Sequence, residues 1–395
     1  MANNKQAVIL AGGFGTRLAH VVNDVPKPMA KIKDEPFLDY IIESLQKHGF
    51  NKFVFLTGYK SEIIEEYYKN LENAVFVREE KALGTGGAIL NAFEYLKDEF
   101  FVINGDTFFD IDYSIIEDFC KNKKDACTIA LRYTNNIGRY GFVDINDNYA
   151  VTSFIEKGHL PQDRIDGYIN GGIYFIKKSI LEDFAEKFDG NFISLETEIF
   201  PKLITNNSLY GLPLGGCFID IGIPEDYYKA QDLIPNWINK TSMPALFVDK
   251  DGTIIENTEY PYGKDFKIIE STIDEVKKFS DQNYHIVMVT NQAGIAKGKF
   301  TANEMNIGFE GIKDIYLSKG INFDDIEYCP YHKDGIIKEY SYNTILRKPN
   351  PGMILSACEK LKIDLKKSIM LGDNKDVDNI KLPYLECKIL SKIGV

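Results

Sequence analysis

The chain has 395 residues, 44% of them hydrophobic and 26% charged, and a formal net charge of −12. That length exceeds one ordinary core and suits two globular domains. The negative balance argues against nucleic acid, whose phosphates need a basic surface, and no apolar run is long enough to cross a bilayer, so neither nucleic acid nor membrane is an expected partner.

Met1–Gln6 runs directly into a strand-like stretch, Ala7–Leu10, with no secretory leader pattern. A Gly-rich turn follows. Phe37–His48 reads as a helix, with Phe37, Leu38, Ile41, Ile42 and Leu45 on one stripe. Lys52–Leu56 is a strand, Ser61–Lys69 a helix opened by a Ser N-cap, and Phe100–Asn104 an apolar strand ending in Gly105-Asp106. This βα rhythm predicts a mostly parallel, doubly wound sheet, whose ligands sit beyond the carboxyl ends of its strands.

A helix-like stretch runs to about Ile238, and the polar segment Asn239–Pro244 breaks it. The rhythm then restarts: Ala245–Val248 leads to Asp249, Ile286–Val289 to Thr290-Asn291, and Ser368–Leu371 to Gly372-Asp373. The expected division is a domain over 1–238, a linker over 239–244 and a second α/β domain over 245–395. Six scattered cysteines, with no disulfide spacing, predict reduced thiols and a cytoplasmic location.

Near the N-terminus, Leu10-Ala11-Gly12-Gly13-Phe14-Gly15-Thr16-Arg17 places backbone N–H groups where no Cβ blocks a phosphate, and Arg17 offers a fork for its oxygens. Lys27 lies between Pro26 and Pro28, which stiffen its backbone. A bare Gly-x-Gly is most often a structural turn, but the longer string with Pro-Lys-Pro favours phosphate binding. In the second half, Asp249 and Asp251 flank Lys250 at a strand end. One carboxylate suits attack on phosphorus, and the other suits proton donation to the leaving alcohol. Thr290 can bond the transferring phosphoryl group, Lys348 can stabilise its charge, and Asp373 can complete a Mg2+ site.

Residues 5–235 resemble the sugar-1-phosphate nucleotidyltransferases, through the Gly12–Arg17 loop, Pro26-Lys27-Pro28, Glu80–Gly87, Asn104-Gly105-Asp106, Glu156-Lys157, Asn170-Gly171-Gly172 and Asp220-Ile221-Gly222. The resemblance implies a Rossmann-like, GT-A-like domain in which a sugar phosphate attacks the nucleotide α-phosphorus and pyrophosphate leaves. It implies Mg2+ on Asp106 and Asp220, with Arg17 and Lys27 as catalytic cations. Nucleotide contacts would come from Leu10, Ala11, Gly12, Gly13, Gly15, Thr16, Arg17, Glu80, Gly84, Thr85 and Asp106. Sugar-phosphate contacts would come from Glu156, Lys157, Asn170 and Gly171. The family often has Pro after the Glu-Lys pair, where this chain has Gly158. Val25–Ala30 with Pro36–Tyr40 looks closest to the heptose-1-phosphate guanylyltransferase branch.

Residues 244–392 resemble phosphatases of the haloacid dehalogenase superfamily, and Asn291–Phe300 with Arg347–Met353 look like the heptose-1,7-bisphosphate 7-phosphatase branch. A Rossmannoid domain without a large cap is implied. Its catalytic residues would be Asp249, Asp251, Thr290 and Lys348, and Asn291, Arg347 and Lys348 would touch substrate. Its Mg2+ would be held by Asp249, Asp251, Asp373 and Asp378, with Asp378 preferred over Asp376. Together the halves imply a bifunctional enzyme of nucleotide-activated heptose synthesis, acting on NTP (GTP above others) and sugar phosphates; the sequence leaves homo-oligomerisation open. The second reading is a hexose-1-phosphate transferase joined to a phosphatase for another small ester such as histidinol phosphate. A non-catalytic sugar-nucleotide sensor is disfavoured because Arg17, Lys27, Asp106 and Asp220 are all retained.

That phosphatase branch usually holds a structural zinc on a Cys-x-His and a Cys-x-Cys pair. Here those positions read Cys329-Pro330-Tyr331 and Thr344-Ile345-Leu346, so only one of four ligands remains and zinc is not expected. Elemental analysis of protein purified without chelator should find no stoichiometric zinc; one equivalent per chain would contradict this reading.

Overall fold

In the computed structural model, which describes residues 4–13, 18, 20–135, 141–155, 164–257 and 266–390, the strand Lys5–Ala11 lies inside a nine-stranded sheet. The main path of that sheet runs Val151–Ile155, Phe142–Ile145, Gly167–Lys177, Glu99–Asn104, Lys5–Ala11, Phe50–Thr57 and Ala74–Arg78. Cys127–Thr134 and Leu209–Pro213 extend it beside Gly167–Lys177.

The last four strands of the path are parallel, as the βα rhythm predicts. The rest corrects the expectation of a mostly parallel sheet. Gly167–Lys177 runs antiparallel to Glu99–Asn104 and to Cys127–Thr134. Between residues 127 and 177 strands follow one another with no helix among the described residues, so no crossover returns the chain to the parallel direction. The helix Phe37–Lys47 buries the predicted stripe and stops at Gly49, whose φ of 83° is left-handed. The second helix, Ser61–Tyr68, begins without the predicted Ser cap. Lys60 holds the cap position at φ 53°, and the buried Ser61 hydroxyl has no hydrogen-bond partner.

The second domain has one five-stranded, fully parallel sheet in the order Asp325–Cys329, His285–Asn291, Ala245–Val248, Ile369–Gly372 and Glu386–Ile389. Residues 239–244 connect the helix Pro224–Ile238 to its central strand, and Met243 exchanges backbone hydrogen bonds with Lys362 and Asp364.

The two domains share a hydrophobic core. The helix Gly352–Lys360 buries Met353, Ile354, Leu355, Ala357 and Cys358, and one apolar cluster runs through these residues from Ile129 and Leu131 of the first sheet to Phe247 and Val287 of the second. Gly215 has no room for a side chain, because a Cβ there would lie 2.5 Å from the Cβ of Cys358. Around this seam Arg132 grips Glu359 through two nitrogens at 2.8 and 3.2 Å, Lys366 pairs with Asp118 at 2.7 Å, and Lys381 pairs with Asp147 at 2.7 Å. The two exposed lysine pairs contribute little, and the half-buried Arg132–Glu359 fork adds to a seam carried mainly by apolar burial.

Trp237, the single tryptophan, is buried in the first domain and reports its unfolding. Leu355→Ala, in the second domain, should cost about 2–5 kcal/mol. The Trp237 fluorescence transition should therefore move to lower denaturant. An unmoved transition would mean that the domains unfold independently.

Candidate active sites

In the first domain the strands Thr107–Phe109 and Phe218–Asp220 pair antiparallel, with Asp220 opposite Thr107, and the Ile221 amide donates to the Asp106 carbonyl at 3.1 Å. This ladder brings Asp106 and Asp220 together from distant parts of the chain. The Lys27 ammonium lies 2.6 Å from an Asp106 oxygen and 3.5 Å from an Asp220 oxygen. Its side chain is only 9% exposed, so two carboxylates and one cation share a partly desolvated corner. Two facing carboxylates suit a hard, oxygen-seeking cation, and Lys27 shows that positive charge is favoured between them.

This corner opens into a cavity of about 420 Å³. Leu10, Ala11, Gly12, Gly13, Lys27, Gly84, Thr85 and Asp106 line it. Gly84 is required there, because its φ is 74° and a Cβ would lie 2.6 Å from the Ile193 carbonyl oxygen. Thr85 has a structural job as well: its hydroxyl donates to Glu196 and accepts from the Leu195 amide.

Glu79, not the expected Glu80, lies in the cavity. Gly12 and Gly58 make room for its carboxylate, which would stand 2.5 and 2.7 Å from a Cβ at those positions. Burial raises the Glu79 pKa, opposed by the hydrogen bond from the Leu83 amide. Glu80 lines a neighbouring surface hollow. Adjacent acids in one loop give no sequence signal for which turns inward. Gly222, from the Asp220-Ile221-Gly222 string, and Phe192, which carried no motif, also line the cavity.

Asn170 and Gly171 lie at an irregularity in the strand Gly167–Lys177. The Asn170 side chain is engaged locally, donating to the Tyr174 hydroxyl at 2.8 Å and accepting from the Gly172 amide at 2.9 Å. Neither residue lines the 420 Å³ cavity. Gly15, Thr16, Arg17, Glu156 and Lys157 fall outside the described residues.

In the second domain Asp249, Thr290 with Asn291, and Asp373 gather at the carboxyl ends of three adjacent parallel strands. Lys348 donates to Asp249 and to Asp378, at 2.6 Å each, and all three side chains are buried. Burial pushes the Asp249 carboxyl up to about 7, with Lys348 pulling it down and Asp378 pushing it further up. Burial also works to lower the Lys348 pKa, but the two carboxylates outweigh it and hold the ammonium charged. Carboxylate oxygens of Asp249, Asp373 and Asp378 lie within 4.8 Å of one another, which fits a shared divalent cation. Asp376 is exposed.

The Asp251 carboxylate is engaged outside the Asp249, Asp373 and Asp378 trio. It pairs with Lys250 at 2.5 Å and accepts from Gln292 at 2.9 Å. Gln292, missed from sequence, also donates to the Thr290 hydroxyl at 2.8 Å, and so ties Asp251 to Thr290. Gly252, at φ 89°, turns the chain where a Cβ would stand 2.4 Å from Asp373. The resulting cavity of about 400 Å³ includes Asp249, Asp251, Asn291, Arg347 and Lys348 in its wall. Arg347 has a buried guanidinium nitrogen, Nη1, with no hydrogen-bond partner, suited to an anionic ligand.

At the zinc-loop positions, burial pushes the Cys329 thiol up to about 12, and its Sγ faces the Tyr331 carbonyl at 3.6 Å. The Tyr331 ring packs on Tyr340 and Tyr342. Among the described residues, the Asp249 trio is the group of three or more metal-ligating side chains close enough to share an ion.

The two sites define a nucleotidyltransferase domain followed by a haloacid-dehalogenase-like phosphatase domain. Residues 6–236, more than half of the chain, match the nucleotidyl transferase family model, and the chain belongs to that family. Residues 245–382 match the family described as polynucleotide kinase 3 phosphatase. The first domain is similar to D-glycero-alpha-D-manno-heptose 1-phosphate guanylyltransferase of Campylobacter jejuni, with 42% identity over 56% of this chain and 97% of that protein. The enzyme of the same name from Aneurinibacillus thermoaerophilus is 40% identical over 59% of this chain and 100% of that protein. Among solved structures, HddC from Yersinia pseudotuberculosis superposes with a TM-score of 0.51 and 36% identity, covering 58% of this chain and 98% of that one.

Lys348→Met leaves the 2.6 Å acceptors on Asp249 and Asp378 without their cation. Phosphatase turnover should fall on the order of 100-fold, while nucleotidyl transfer holds. Phosphate release at the parent rate would contradict the assignment.

Proposed function

We propose that the chain performs two consecutive steps of activated-heptose synthesis. The C-terminal site removes the 7-phosphate from a heptose 1,7-bisphosphate. The N-terminal site transfers a guanylyl group from GTP to the resulting heptose 1-phosphate. The observation that carries this reading is the match of heptose 1-phosphate guanylyltransferases, over nearly their whole length, to a domain that here shares its core with a phosphate-removing one.

At the phosphatase site Asp249 attacks phosphorus, the bond from phosphorus to the sugar oxygen breaks, and Asp251 gives that oxygen its proton. Water, giving a proton back to Asp251, then attacks the phosphorus, the bond from phosphorus to the Asp249 oxygen breaks, and inorganic phosphate leaves with the Asp249 carboxylate restored. Lys348 neutralises charge at the attacking carboxylate, and the unpaired Arg347 nitrogen receives the substrate's anionic part. At the transferase site an oxygen of the sugar 1-phosphate attacks the α-phosphorus of GTP, and the bond to the leaving pyrophosphate breaks. Lys27 steadies the reacting phosphates, and Arg17 is assigned to the pyrophosphate. Mg2+ on Asp106 and Asp220, and on the Asp249 trio, would supply further neutralisation of phosphate charge. Six free cysteines, five of them buried, suit a reducing cytoplasm. Among the described residues no helix is long and apolar enough to cross a membrane.

With Mg2+, GTP and heptose 1-phosphate, the protein should release pyrophosphate, and Asp106→Ala should lose on the order of 100-fold in rate. Phosphate release should be fastest from heptose 1,7-bisphosphate in a panel that includes histidinol phosphate and a 3′-phosphorylated oligonucleotide. Faster release from either alternative, with none from the bisphosphate, would overturn the substrate assignment.

A further inference from the structure

We propose that Asp166, in the transferase domain, is a positioning residue for the phosphatase reaction: it holds the 344–346 loop that delivers Arg347 and Lys348. The proposal rests on the phosphatase reading above.

Asp166 directly precedes the strand Gly167–Lys177 and is only 2% exposed. Both of its carboxylate oxygens point across the domain seam. One accepts from the Ile345 amide at 2.9 Å; the other accepts from the Leu346 amide at 3.1 Å and from the Thr344 hydroxyl. The buried Tyr133 hydroxyl, from its own domain, adds a fourth donor at 3.1 Å. Just before it, Arg164 forms a parallel bridge with Asn343. A desolvated carboxylate with four donors makes strong, directional bonds. Within the loop the Leu346 amide also donates to the Thr344 hydroxyl oxygen at 3.0 Å, but the acceptor of the Ile345 amide and the carboxylate that binds the Thr344 hydroxyl come from Asp166.

The loop leads straight into the site. Arg347 and Lys348 follow Leu346, and the Lys348 backbone exchanges two hydrogen bonds with the Asn291 side chain at 3.0 and 3.1 Å. Farther on, the Gly352 amide donates to the Ile345 carbonyl at 3.0 Å, and a Cβ on Gly352 would stand 2.7 Å from that oxygen. The loop is thus fixed by Asp166 at its start, Asn291 in its middle and Gly352 at its end, and the first anchor belongs to the other enzyme. Without Asp166, the Ile345 amide loses its acceptor, and the Leu346 amide keeps only a Thr344 hydroxyl that has itself lost its carboxylate partner. Arg347 then loses its aim at the substrate and Lys348 its aim at Asp249.

The test uses the full chain with Asp166→Ala and Asp166→Asn. Phosphatase kcat/KM on heptose 1,7-bisphosphate should fall about 10-fold in the Ala variant, with KM raised as well as kcat lowered, because Arg347 binds and Lys348 reacts. Asn keeps an acceptor for one amide and should lose less. Pyrophosphate release should stay within about two-fold of the parent. Hydrogen exchange in a peptide spanning 343–348 should speed by about 10-fold or more, and this readout needs no activity. Unchanged exchange overturns the proposal, and so does phosphatase kcat/KM within about two-fold of the parent. A parallel loss of both activities at unchanged KM also overturns it, since that marks a general loss of folded protein. If the parent itself releases no phosphate, the phosphatase reading fails, and the exchange result alone decides whether Asp166 holds the loop.

Discussion

The packing of the helix Gly352–Lys360 against the first domain's sheet is the constraint on which the rest of the molecule depends. Its buried face joins both sheets in one apolar cluster. The residues that lead into this helix include Arg347 and Lys348, which line the phosphatase cavity. One stretch of chain is therefore both the seam between domains and the wall of an active site. The two domains, joined in sequence through residues 239–244, also meet in an apolar contact made by residues far from that connection. Burial on this scale outweighs the surface ion pairs around it, which orient the seam more than they stabilise it.

Both sites solve the same electrostatic problem. Carboxylates that repel one another are held together by a lysine placed between them: Lys27 with Asp106 and Asp220, Lys348 with Asp249 and Asp378. The arrangement preorganises a cationic point beside acidic oxygens, which suits substrates that bring phosphate and metal together. The difference lies in burial. Lys348 is almost fully enclosed and its partners are buried, whereas Asp106 and Asp220 keep part of their surface exposed. The raised pKa of Asp249 reflects that enclosure.

Much of this was legible in the sequence because it is local. A strand that ends in Asp249 or Gly372-Asp373 announces its site, and an apolar stripe such as Phe37–Leu45 announces its helix. The features that were not legible depend on partners far along the chain. The antiparallel half of the first sheet follows from strands joined without helices, a rhythm weaker than the βα repeat before it. Glu79 and Glu80 are indistinguishable until Gly12 and Gly58 open space for one of them. Thr85 looked like a nucleotide ligand because it sits in a Gly-rich string, yet its hydroxyl also ties down residues 195 and 196. Gln292, inside the Asn291–Phe300 string, and Asp166, outside any motif, were given no role of their own, since their roles come from what folding places across from them. At the positions that resemble a zinc loop, the structure has tilted and edge-on tyrosine contacts on one side and the Asp166 hydrogen bonds on the other.

In the proposed reaction order the product of the second site is the substrate of the first. The most direct measurement is phosphorus NMR on the intact protein supplied only with heptose 1,7-bisphosphate, GTP and Mg2+. Inorganic phosphate, pyrophosphate and a GDP-linked heptose should accumulate in equal amounts. Release of inorganic phosphate with no pyrophosphate or sugar nucleotide would contradict it.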